Sequence, residues 1–234
     1  MSSAAGFADV GPVQAVLFDF HSTLVDQGDP YQWLDLAWEH AGRPATPAAS
    51  LGEQGRQQLA GWVERIWEHV REVDPANERD LSPVRHREVY DALMERVPQV
   101  DDTLAQSLYE VMLETWIPYD DAVPTLTELK RRGVKVALVS NVGIDVRVVL
   151  DRAGMADLLD AVVLSYEAGS VKPHAPIFQI ALDAVGVSAG NALMVGDSPH
   201  DDAGAALIGI RTLLLPRTSG TRHGLDIVLR LVDD

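Results

Sequence analysis

The stretch from Val13 to Asp26, VQAVLFDFHSTLVD, constrains this chain most. Its first half is a dense apolar run, the texture of a strand buried on both faces. It ends in a carboxylate, Asp19, where the strand should leave its sheet. The polar residues His21, Ser22 and Thr23 follow at once. A buried strand that delivers a carboxylate and hydroxyls to its C-terminal end is how an open α/β sheet builds a site.

The rest of the chain is expected to supply that sheet. After Pro124 strands and helices alternate. Strands are expected at Val134–Ser140, Ala161–Ser165, Ala192–Gly196 and Arg211–Leu215, after a first strand at Gln14–Phe20. Helices are expected at Pro124–Arg132, from Gly143 to Ala153, and at Ala175–Val185, Pro199–Ile208 and Gly224–Leu231. Strands separated by helices of about ten residues imply right-handed crossovers and a parallel sheet covered on both faces.

Between the first strand and the others lies a different texture. Tyr31–His40, Leu51–Val73, Val84–Val97 and Thr103–Trp116 read as helices punctuated by prolines. Leu59, Val63, Ile66 and Val70 repeat at the spacing of one helix face. All five tryptophans fall in this stretch and are expected to form its core. The expected fold is therefore α/β, a three-layer Rossmann-like parallel sheet core with an inserted all-helical cap domain. Its parts are residues 1–26 (core), 27–119 (cap) and 120–234 (core). Met1–Gly11 is expected to be a loose tail.

Thirty-five acidic against 19 basic residues give a net charge of −16, which argues against a nucleic-acid partner. No cysteine is present, so thiolate catalysis and Cys-zinc sites are excluded. The N-terminus lacks the pattern of a signal peptide, and no apolar run reaches membrane-spanning length. A cytoplasmic protein, monomer or homodimer, without a membrane partner is expected.

Each inner strand ends in a polar group: Asp19, then Ser140-Asn141, then Lys172-Pro173 a few residues past the third, then Asp197-Ser198. In an open parallel sheet these ends converge on one crevice. Two carboxylates, a hydroxyl, an amide and an ammonium suit phosphoryl chemistry, with carboxylates for a hard divalent cation and cations for phosphate oxygens. One carboxylate can attack phosphorus. Each has a plainer alternative when taken singly. Asp19 could form a turn, Ser140 could cap the next helix, and Lys172 could be a surface lysine. GDSPHDD could be a helix start with Ser198 as N-cap, Pro199 first and Asp201 third. Asp197 is left over by that alternative.

Together these residues resemble the haloacid dehalogenase (HAD) superfamily. DFHSTL is similar to its first motif, Ser140 to its second, Lys172 in VKPHAPIF to its third and GDSPHDDAGA to its fourth. The helical insert is placed like the family's C1 cap, which sets substrate choice; one cap residue, Arg85, His86 or Arg87, is expected to reach the substrate's leaving group. The resemblance implies a Mg2+-dependent phosphatase acting on a small phosphorylated metabolite. Asp19 would be the nucleophile, forming an aspartyl-phosphate. Asp19, the main-chain carbonyl of His21 and Asp197 would hold Mg2+, with Asp201 nearby. Thr23 would steady the loop. Ser140, Asn141 and Lys172 would bind the phosphoryl group. His21 stands where family phosphatases carry a second aspartate; an imidazole can serve as acid and base there. Ser22 replaces the usual glycine. The alternatives are a metal-free, dehalogenase-type carbon hydrolase and a non-catalytic HAD-like binding protein.

Overall fold

The computed structural model describes residues 11–232. The expected tail, Gly11 apart, lies outside the described residues. The strands are β1 (Ala15–Phe18), β2 (Val25–Asp26), β3 (Ile117–Pro118), β4 (Lys135–Ser140), β5 (Ala161–Leu164), β6 (Ala192–Gly196) and β7 (Arg211–Leu214). The α-helices are α1 (Pro30–His40), α2 (Pro47–Glu64), α3 (Pro83–Met94), α4 (Asp102–Val111), α5 (Ala122–Arg131), α6 (Arg147–Arg152), α7 (Ser165–Ala168), α8 (Ala175–Val185) and α9 (Ile227–Leu231). The chain divides into two compact units. One holds the residues up to Val25, Pro118–Asn141 and everything from Leu150; the other holds Asp26–Ile117 and Val142–Val149.

The first unit is built on a five-stranded parallel sheet in the order β5-β4-β1-β6-β7. Register aligns Phe18 with Leu138 on one side and with Val195 on the other, so all five strands run out at the same edge. Ala15, Leu17, Ala137, Val139, Ala192 and Met194 face one way, into a core closed by Ile177, Phe178, Ala181 and Leu182 of α8. Val16, Phe18, Val136, Leu138 and Val195, the alternate residues, are equally buried. Both faces are therefore covered, which is why these strands read as unbroken apolar runs. The strand order reverses at β1: later strands add on its β4 side, then on its β6 side. That reversal opens a crevice at the C-terminal end of β1.

The second unit is helical. Trp33, Leu34, Trp38, Leu59, Val63, Tyr90, Leu93, Leu104 and Leu108 share one apolar core. Trp33 Nε1 donates to the Leu108 carbonyl at 2.8 Å, so the buried indole has its partner. The apolar spacing predicts one helix over Leu51–Val73, and the structure breaks it. Gly52 takes a left-handed φ of 71° inside α2, α2 stops at Glu64, and Ile66–Glu72 continues as a 3-10 helix. The spacing survives the change because Ile66 and Val70 stay buried in the tighter helix. Gly143 also belongs to this unit. A Cβ there would collide with the Arg79 carbonyl and the His86 side chain, so the close approach needs glycine.

Candidate active site

Asp19 follows β1 directly, and its N–H donates to the Val195 carbonyl of β6 at 2.9 Å. The carboxylate is buried at the sheet edge, and both of its oxygens are engaged. Lys172 Nζ donates to Oδ1 at 2.6 Å, and Thr23 Oγ1 donates to Oδ2 at 3.0 Å. Thr23 can reach back because the chain turns at once: the Phe20 carbonyl accepts from the N–H groups of Thr23, Leu24 and Val25. The turn passes through Ser22 at φ 67°, the left-handed region, and the Ser22 hydroxyl pairs with His21 Nδ1 at 3.2 Å. Such a φ explains why a glycine would suit this position.

Lys172 is buried between two carboxylates, Asp19 and Asp202, with Asp202 Oδ1 at 2.7 Å. Burial alone would strip its charge; the two carboxylates outweigh it and hold the ammonium above its ordinary range. Burial pushes the Asp202 carboxyl up, Lys172 opposes this, and Asp19 adds to it. Asn141 fixes Lys172 from the backbone side. Its Oδ1 accepts from the Lys172 N–H at 2.7 Å and its Nδ2 donates to the Lys172 carbonyl at 2.9 Å. The side-chain amide of Asn141 thus positions the lysine. Ser140 ends β4 and is buried.

The fourth strand end differs most from expectation. Asp19, Asp197 and Asp202 each bring a carboxylate oxygen within 4.8 Å of the others, the one such group among the described residues. The sequence points to Asp201 instead. In the structure Asp201 closes a turn: its N–H donates to Ser198 Oγ at 3.0 Å, and its carboxylate accepts from Ser198 Oγ and meets His200. Ser198 does cap that turn, but regular winding starts only at Asp202 and is 3-10, not α. Asp202 lies against Gly196, where a Cβ would collide with it, and accepts from the Ser198 N–H at 2.9 Å. Neighbouring aspartates in a turn cannot be told apart by residue type, so Asp202 carries no separate signal in the sequence.

Asp197 has a partner that the sequence does not suggest. Arg217, beyond β7, sets its Nε 2.5 Å from Asp197 Oδ2. Nothing in PRTSG marks that arginine. Arg85, His86 and Arg87 all lie in the helical unit. Arg85 pairs with Asp74 and Glu88, and Arg87 with Asp91. His86 is buried beside Trp67 and within 2.9 Å of the Tyr109 hydroxyl.

The donor set is all oxygen on the anionic side, as a hard divalent cation such as Mg2+ prefers. Asp202 has both oxygens committed, to Lys172 and to the Ser198 N–H. Asp19 is likewise engaged at both oxygens, and all three carboxylates stand close enough to share such an ion.

The profile of the haloacid dehalogenase-like hydrolases matches residues 13–209. Phosphatase MT3486 of Mycobacterium tuberculosis is 36% identical over 108 residues, 45% of this chain and 50% of that protein. Glyceraldehyde 3-phosphate phosphatase of Methanopyrus kandleri is 27% identical over 221 residues, 88% of this chain and 84% of that one. For several curated relatives the chain spans only about half their length. The L-2-haloacid dehalogenase RSc1362 has the same fold, with a TM-score of 0.67 at 21% identity over 96% of this chain and all of that one. No helix among the described residues is long and apolar enough to cross a membrane.

Proposed function

Since the chain belongs to the haloacid dehalogenase-like hydrolases, we propose that it is a metal-dependent phosphatase acting on a small phosphorylated metabolite through Asp19. The observation that carries this is the Asp19–Lys172–Asp202 array with Asp197 beside it. A carboxylate with both oxygens held is ordered for in-line attack, and the ammonium against it offers positive charge to an arriving phosphoryl group.

Asp19, Asp197 and the main-chain carbonyl of His21 would hold a divalent cation such as Mg2+. When bound, that ion supplies charge neutralisation to the phosphoryl oxygens. The chain's own residues do the rest. An Asp19 oxygen bonds to phosphorus as the ester P–O bond breaks, and the departing alkoxide takes a proton from the His21 imidazolium. Thr23 and Lys172 keep the carboxylate aimed. Water then attacks the aspartyl-phosphate and gives its proton to His21, freeing inorganic phosphate and restoring Asp19. Ser140 is the hydroxyl nearest in kind for a phosphoryl oxygen, and Asn141 acts through Lys172.

Phosphate release from a panel of phosphorylated metabolites, with Mg2+ and with EDTA, tests the reading. Turnover is expected with Mg2+ only, and Asp19→Asn should lower it by about 10³-fold or more. His21→Ala should lower it by about 10²-fold, with His21→Asp retaining more than alanine does. Full activity in Asp19→Asn, or equal turnover in EDTA, would end the proposal.

A further inference from the structure

Asp197 and Arg217 form an ion pair whose members differ sharply in setting. The Asp197 side chain is 6% exposed, whereas that of Arg217 is 71% exposed. The arginine is presented by an arch fixed at both ends. At one end the Leu215 N–H donates to the Gly196 carbonyl at 2.9 Å. At the other, the Asp121 carboxylate accepts from the N–H groups of His223, Gly224 and Leu225 at 3.0, 2.7 and 3.0 Å. Residues 216–222 span the gap, and most of them are exposed.

Charge explains why the guanidinium turns inward rather than to solvent. Three carboxylates crowd within 4.8 Å, against the single buried ammonium of Lys172. Two negative charges remain uncompensated, and Arg217 supplies one positive charge from outside. Asp197 is its principal attraction and Asp19 adds to it. A divalent cation at the same carboxylates would compensate both charges and remove the reason for Arg217 to stay.

We propose that Arg217 is a built-in counter-ion of the cation-free site, competing with a divalent cation for Asp197 and released into solvent when that cation binds. The inference rests on reading Asp19 and Asp197 as cation ligands, and it adds a cost to cation binding that this chain imposes on itself. By linkage, whatever Arg217 contributes to the empty site is subtracted from the cation's affinity, and the cation weakens Arg217's hold equally. Because a guanidinium stays charged at all working pH values, this competition persists where a proton would no longer compete.

Mg2+ affinity measured by titration calorimetry, with no substrate present, tests it. Arg217→Gln is expected to bind Mg2+ about three- to tenfold more tightly than wild type, the modest size reflecting an exposed partner. Arg217→Lys should fall nearer wild type. Hydrogen exchange in residues 216–222 should rise in wild type on adding Mg2+, and be already raised and Mg2+-insensitive in Arg217→Gln. Unchanged or weaker Mg2+ binding in Arg217→Gln overturns the counter-ion role and leaves the cation site standing; weaker binding would mean that Arg217 orients Asp197 for the metal. Absence of Mg2+ binding in both proteins overturns the inference together with the reading beneath it.

Discussion

At the scale of single residues, Ser22 shows two demands meeting in one position. The turn that returns Thr23 to Asp19 needs a left-handed residue, which costs a non-glycine side chain about 1–2 kcal/mol. In exchange the hydroxyl meets the imidazole of His21. Ser22→Gly is therefore expected to raise stability by up to about 1 kcal/mol, the looser unfolded chain offsetting part of the relief. It should also lower phosphatase kcat roughly two- to tenfold, since His21 loses a contact that orients it. Urea unfolding and phosphate release measured on one preparation check both halves. The same scale shows what could be read without coordinates. Asp19 and Asp197 stand out because a charged group at the end of a buried apolar strand is costly to place unless something there meets its charge, and Lys172 because the proline after it holds its backbone extended. Asp202 does not, because which of two adjacent aspartates faces inward depends on the winding of a turn. Arg217 does not, because its partner lies 20 residues away with no pattern linking them.

At the scale of elements, the five strands of the parallel sheet were legible to within a residue or two, and β6 and α8 fall on their expected bounds, whereas the two-residue β2 and β3 are too short to leave a pattern. Burial on both faces leaves an apolar run that few other elements produce. The helices of the second unit were less legible. A 3-10 segment buries nearly the same residues as the α-helix it replaces, so Ile66–Glu72 left no mark in the apolar spacing. The hold of Asp121 on residues 223–225 was equally silent, being a bond from a carboxylate to backbone. Burial works against that carboxylate, yet three N–H donors prevail and hold its carboxyl below the ordinary range. A lowered folded value means stability that is complete above the ordinary pKa of 3.8 and is lost as pH falls through the folded one. Asp121→Asn should cost about 1–3 kcal/mol at neutral pH and flatten the loss of stability below pH ~4. Chemical unfolding across pH 3 to 7 for both proteins measures this.

At the scale of the whole molecule, the acid response should also draw on a second group, which works in the same direction from a higher pH. Burial, with Arg79 adding, lowers the His86 imidazole from 6.5 to about 3. The unfolded chain therefore takes up a proton below about pH 6.5 that the folded chain refuses until about pH 3. Stability from this group is complete above that window and falls within it, by at most about 1.4 kcal/mol per pH unit. Unfolding free energies at pH 7.5, 5.5 and 4.5 should fall more steeply in wild type than in His86→Gln; equal slopes would show that His86 titrates in the folded protein as it does in the unfolded chain.

The chain enters the helical unit twice, once as Asp26–Ile117 and again as Val142–Val149. Gly143 in the second passage fits closely against Arg79 and His86 in the first. A hybrid enzyme made by transplanting only the longer segment from a relative would set a foreign surface against a glycine shaped for this one. Recombination within such a lineage should succeed when both segments travel together, so the smallest exchangeable module is discontinuous in the gene.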